Sequence, residues 1–168
     1  SRERGVSVVS YARTATALAS EYGTRPHAEM AAIKKQVDDL LYNAAEITVT
    51  CPLGTSLHGA PLRQAEEGPA DVSVRRFPLC VPAPVSAAKF EGTVALNGYL
   101  APTGNRTYHP AYQHIEGIVT VEICAGRIQQ FRGEQAAIDA IQQHYAHVAG
   151  LFDLDAGIVD SWHAGIHA

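Results

Sequence analysis

Eight histidines are spread through this chain of 168 residues, and the two nearest its end offer the sharpest chemistry. Trp162-His163-Ala164-Gly165-Ile166-His167 sets an indole and two imidazoles behind an apolar run, Gly157-Ile158-Val159-Asp160-Ser161. Imidazole is the commonest transition-metal ligand and the usual proton carrier near neutral pH. On a strand, His163 and His167 share a face but stand about 13 Å apart at ~3.3 Å per residue. A metal–nitrogen bond is only ~2.1 Å long, so both reach one ion only if Gly165 turns the chain sharply. One imidazole as ligand, with the other beside it or touching substrate, is the more physical arrangement. Two ordinary histidines at a strand end account for the spacing equally well.

The remaining candidates are weaker. His109 and His114 fall in Tyr108-His109-Pro110-Ala111-Tyr112-Gln113-His114, a loop ahead of a strand. Loops held by a rigid sheet often carry sites, but exposed loop histidines are common, and the surface reading is preferred. His144 and His147 surround a helical stripe and read as solvated or half-buried, while His27 and His58 are isolated. Glu116 and Glu122 flank an apolar strand, where salt-bridging is the simpler role. Cys80 sits between prolines with no base nearby in sequence. The chain has no phosphate-binding loop, no Gly-x-Ser-x-Gly elbow and no His-Glu-x-x-His helix.

Composition narrows the partners. With 46% hydrophobic and 18% charged residues the chain reads as a globular protein, and a net charge of −4 leaves no basic footprint for nucleic acid. Cys51, Cys80 and Cys124 are odd in number and form no Cys-x-x-Cys pair, so a reducing cytoplasm is expected. No apolar run approaches the ~20 residues that cross a bilayer, and no signal peptide is visible. Asn105-Arg106-Thr107 matches a glycosylation sequon and is read as a chance match. Association with further copies of the chain is left open.

These side chains need elements to hold them. Residues 5–20 are small and apolar and suit either a helix or a short strand leading into one. Residues 26–44 form the clearest helix: Met30, Ile33, Val37, Leu40 and Leu41 recur on one side, Lys34, Lys35, Asp38 and Asp39 take the other, and Pro26 suits the first turn. Residues 46–51 alternate as a strand ended by Pro52-Leu53-Gly54-Thr55. Residues 56–70, with two glycines and two prolines, read as an irregular loop, and 71–75 as a second strand. Pro78, Pro82 and Pro84 exclude a regular central strand over 77–85.

Beyond residue 90 the pattern is β-rich. Asn97-Gly98 signals a hairpin after Thr93–Leu96. Ala125-Gly126 signals another between strands 117–124 and 127–131. Residues 134–148 return to helix, with Ile138, Ile141, Tyr145 and Val148 on one stripe and Gly150 as the stop. Gly157–Trp162 reads as a buried strand. Hairpins outnumber βαβ units, so the expected class is α+β: one domain over 1–168 in which a mostly antiparallel sheet carries flanking helices and the 26–44 helix packs on it. The chain begins at Ser1 without Met, and its last apolar element lacks a stop signal. A fragment of a longer protein is therefore expected.

The order of pieces carries a resemblance. Val37-Asp38-Asp39-Leu40-Leu41 leads to Ile47-Thr48-Val49-Thr50 and Pro52-Leu53-Gly54-Thr55-Ser56-Leu57. Val81-Pro82-Ala83-Pro84, Glu91-Gly92-Thr93-Val94, Gly126-Arg127-Ile128 and finally 157–167 follow. This succession, across most of residues 30–167, resembles the thermophilic metallo-aminopeptidases of aminopeptidase T type. Their iron-dependent branch includes 2,5-dihydroxypyridine 5,6-dioxygenase. The resemblance implies the C-terminal-type portion of that fold.

Where the peptidases carry a Gly-Glu pair with a metal carboxylate, this chain has Trp162-His163, so the resemblance places a metal ligand at His163. The peptidases carry a second carboxylate in the segment matching Phe77–Pro84, and this chain has none in that segment. Paired cations need anionic bridging oxygens; a single iron(II) held by two histidines and one carboxylate does not. In the dioxygenase branch a further histidine and aspartate lie beyond the point where this sequence ends.

The implied function is a mononuclear Fe(II) ring-cleaving dioxygenase acting on a hydroxylated N-heterocycle with O2. His167 and His114 are the expected proton-handling or substrate-side groups. A metallo-aminopeptidase using zinc or cobalt, and a non-catalytic α+β fragment, are the alternatives.

Overall fold

The computed structural model describes residues 16, 19–21, 24–62, 84–102 and 107–164. The expected strand at 71–75 and most of the proline-rich segment lie outside the described residues, as does nearly all of 5–20. The chain divides into two compact units. The first comprises Ser1–Leu41, Ala65–Pro84 and His163–Ala168, and the second Tyr42–Gln64 and Val85–Trp162.

The first unit is represented chiefly by helix α1, His27–Asn43. The Pro26 carbonyl accepts from Glu29 N and Met30 N and so starts the helical ladder, a position where proline's missing N–H costs nothing. The buried stripe is narrower than the sequence pattern suggests. Met30 is sealed, but Leu40 is 73% exposed, and Lys34, expected on the solvent face, is buried. Met30, Lys34, Val37 and Leu41 follow one another at spacings of four, three and four, so Lys34 falls inside the apolar seam. Asp38, one turn on, pairs with its ammonium. A buried cation keeps its charge only with such a partner.

The second unit is α+β. Five antiparallel strands lie in the order β1-β2-β4-β5-β6: β1 Ile47–Thr50, β2 Ser56–Gly59, β4 Phe90–Leu100, β5 Gln113–Cys124 and β6 Arg127–Arg132. Strand β3, Val85–Ser86, pairs instead with β7, Ser161–Trp162. Ser56–Gly59, expected in a loop, is thus a strand. It is only four residues long, and its pairing to β1 and β4 decides its conformation. A Cβ on Gly59 would lie 2.7 Å from Phe90 Cα, so the β2–β4 approach requires glycine there.

Two hairpin signals have different fates. Ala125 and Gly126 both take positive φ (49° and 70°) and join β5 to β6 as expected. Asn97-Gly98 does not turn the chain. It sits inside β4 where the register against β5 shifts from Leu96↔Val119 to Gly98↔Ile115. Gly98 spends its φ of 95° on this bulge, and Asn97 Nδ2 donates to the Gly117 carbonyl at 2.8 Å. The true β4–β5 connection is longer and includes the described segment Thr107–Tyr112.

Helix α2, Gln135–Phe152, covers one part of the sheet. Its buried residues Ala137, Ile138, Ile141 and His144 recur at helical spacing. Ala137, Ile138 and Ile141 meet Ile115 and Val119 of β5, with Leu96, Leu100, Phe131 and Tyr145 around them. This helix packs on β5; the 26–44 helix, also expected on the sheet, belongs largely to the first unit. Nor does Gly150 end α2. Asp153 does, in a left-handed conformation with its N–H donating to the Ala149 carbonyl.

The chain then returns as an extended strap. Ile128 N donates to the Gly157 carbonyl, Val159 N to Gly126 and Ala87 N to Asp160. Only residues 161–162 form a regular strand, and Ile158 is half exposed, so the expected buried strand is a strap with a two-residue pairing at its end.

Candidate functional site

The strap leaves a cavity beneath it. Leu57 of β2, Phe90, Val94 and Leu96 of β4, Val121 and Ile123 of β5 and Ile128 of β6 form its floor. Tyr145 of α2, with Ala87, Val159, Ser161 and Trp162, completes the wall. The side chains point there because alternate residues of each strand face the core. Trp162 meets Phe90 edge-on, with centroids 5.6 Å apart.

The cavity holds about 230 Å³. That is below the ~300 Å³ at which pockets for drug-sized ligands begin, yet above the ~150 Å³ in which an apolar cavity can take benzene. It suits one ring. The side-chain polar atoms of its lining residues are the hydroxyls of Ser161 and Tyr145 and the indole nitrogen of Trp162, and burial raises the Tyr145 phenol above its usual range. The Trp162 indole N–H is sealed from water without an acceptor among the described residues, so it does not offer the lumen a donor.

The candidate residues from sequence fall in different units or outside the described residues. His163 directly follows β7, is exposed, and belongs to the first unit. His114 belongs to the second: it lies on β5 opposite Tyr99 and is also exposed. It lines a separate polar depression with Gln113, Glu116, Glu134 and the first turns of α2. His167 lies outside the described residues, as does Cys80. Among the described residues, no group of three His, Cys, Asp or Glu side chains is placed to hold a metal ion.

Two arrangements went unread in the sequence. His144 and His147, expected to be solvated or half-buried, hold the segment before β5. His144 is 6% exposed and packs on Tyr108, while His147 Nε2 lies 2.9 Å from the His109 carbonyl. Their three-residue spacing was a usable signal, but nothing local shows that a loop returns to cover them. The second is Cys51, at the turn between β1 and β2. The Thr55 hydroxyl, then backbone groups of Thr55, Leu53 and Gly54, hold its thiol below the usual range. The Pro52–Thr55 turn was legible; its effect on the sulfur was not.

No family model matches the chain, and no similar protein was found among curated proteins or solved structures.

Proposed function

We propose that the second unit binds a small, largely apolar ring compound in the cavity under the strap. The observation that supports this is the cavity's size and chemistry: about 230 Å³ lined mainly by aliphatic and aromatic side chains. Such apolar surface is costly to leave in contact with water, and covering it gains about 25 cal/mol per Å². A ligand at one hundred times its Kd would raise unfolding stability by about 2.7 kcal/mol.

The test is thermal and denaturant unfolding with benzene, phenol and 2,5-dihydroxypyridine. It is run on the wild type and on Val94→Phe, which fills the lumen. At least one ring compound should shift the wild-type midpoint and leave the variant unmoved. Equal responses in both proteins, or none in either, would reject the reading.

A narrower reading makes this binding part of catalysis: an Fe(II)-dependent ring-cleaving dioxygenase using O2. It is supported by the resemblance and by one placement, since Trp162 lines the ring-sized cavity and the exposed His163 is the next residue. The described residues do not supply the two-histidine, one-carboxylate set that such iron requires, so on this reading the other ligands come from elsewhere. Iron content and O2 uptake with 2,5-dihydroxypyridine, compared between the wild type and His163→Ala, test it. Both should be lost in the variant. Two equivalents of zinc or cobalt with peptide hydrolysis would favour the aminopeptidase, and ring binding without any metal would favour a non-catalytic module.

A further inference from the structure

The segment ahead of β5 is fastened to the second half of α2 through histidines three residues apart. His144 is buried against the Tyr108 ring at a centroid separation of 5.9 Å, and Tyr108 also meets Phe152 edge-on at 6.0 Å. His147 Nε2 donates to the His109 carbonyl oxygen at 2.9 Å. Two contacts from one helical surface thus hold consecutive loop residues. We propose that this junction is an acid-released latch, in which protonation of His144 frees residues 107–112 from α2 while the sheet stays folded.

The argument turns on where an imidazolium can be tolerated. With the loop docked, a charged His144 would be buried under Tyr108 and close to His147. Burial, and then the charge of His147, hold its pKa below the ordinary 6.5. With the loop released the ring is solvated and regains its ordinary affinity for protons. The full docking stability is therefore present above pH 6.5, falls as pH drops from 6.5 toward the lowered value, and levels off below it. One proton sets the limit: the opening constant rises at most about ten-fold per pH unit.

Among the described residues no carboxylate acts on the His144 ring; His114 and Glu116 of β5 and Glu134 lie instead at the first turns of α2. β5 presents Ile115 and Val119 to the helix. The titratable groups of the loop are Tyr108, His109 and Tyr112, and those beside His144 on its own helix are Tyr145 and His147. Tyr108, raised above its usual range by burial, stays a neutral phenol throughout. His147 donates to the carbonyl oxygen whether neutral or charged.

Amide hydrogen exchange of residues 107–112, corrected for the intrinsic rate at each pH, tests the latch between pH 7.5 and 5. Amides of the β5–β6 hairpin report global unfolding. In the wild type, loop opening should rise up to ten-fold per unit below pH 6.5 while the hairpin stays protected. His144→Gln should flatten that rise, and His147→Gln should raise opening at every pH while keeping the slope. Titration of the His144 ring by NMR in the wild type gives a second reading that does not depend on the variant folding. Its midpoint should lie below 6.5, at the pH where the rise in loop opening levels off. A flat wild-type profile, an undiminished slope in a folded His144→Gln protein, or a ring titration that does not track release would overturn the proposal.

Discussion

One sheet face in the second unit is covered in two ways. Toward Ile115 and Val119 it meets α2, and Val119 and Ile141 are fully buried. Toward Val121 and Ile123 it meets the strap, and a cavity remains. The strands are the same on both sides; the cover differs. A helix projects a side chain toward the sheet every three or four residues, and these fill the valleys between strands. An extended segment sends alternate residues away from the sheet, so residues 157–162 supply only Val159, Ser161 and Trp162 to the lining. Leu96 and Tyr145 mark the border, belonging to the packed cluster and to the cavity wall alike.

The largest effect should come from the packed side. Ile141→Ala removes a side chain with no exposure and should cost about 2–5 kcal/mol in chemical denaturation, because the neighbours cannot collapse into the gap. A smaller cost than about 1 kcal/mol would mean that α2 is not seated as described.

A pair of enlargements sharpens the contrast by its sign. Val119→Ile forces a methylene into a filled site and should cost about 1–3 kcal/mol. Val121→Ile places the same group beside the lumen and should be neutral or stabilising by up to about 1 kcal/mol. Equal losses at both positions would show that the cavity is closed in solution.

The smallest effect concerns the strap's entry. Asp155 accepts from Gly157 N and from Arg127, each at 2.8 Å. These contacts, the Gly157 bond first, hold its carboxyl below the ordinary 3.8. Its contribution is therefore present above pH 3.8 and lost as pH falls through the lowered value. Asp155→Asn should speed Gly157 amide exchange at neutral pH and remove part of its acid dependence. Unchanged exchange would mean that the backbone bonds of Ile128 N to Gly157, Val159 N to Gly126 and Ala87 N to Asp160 anchor the strap without it.

Local signals account for part of this architecture. The apolar period of α2, the alternation of β5 and the Ala125-Gly126 turn could be read from the chain, because each is decided within a few residues. Asn97-Gly98 could not be read correctly. Its tolerance of positive φ serves a hairpin and a bulge equally, and only β5 lying alongside chooses the bulge. Lys34 differs for a related reason: hydropathy alone puts it among solvent-facing charges, whereas it falls in line with Met30, Val37 and Leu41 and is buried.

The candidate site shows the same division more sharply. The sequence by itself determined that Trp162 and His163 stand next to each other at the end of an apolar segment, and that Ala125-Gly126 joins two strands as a hairpin. Tertiary structure alone decided that Trp162 closes a ring-sized cavity with residues from β2, β4, β5, β6 and α2. It also decided that His144, one histidine among eight, is the one buried beneath Tyr108. A periodicity reports which face of an element is apolar. What lies against that face, and whether it fills it, depends on partners up to a hundred residues away, and no local pattern carries that distance.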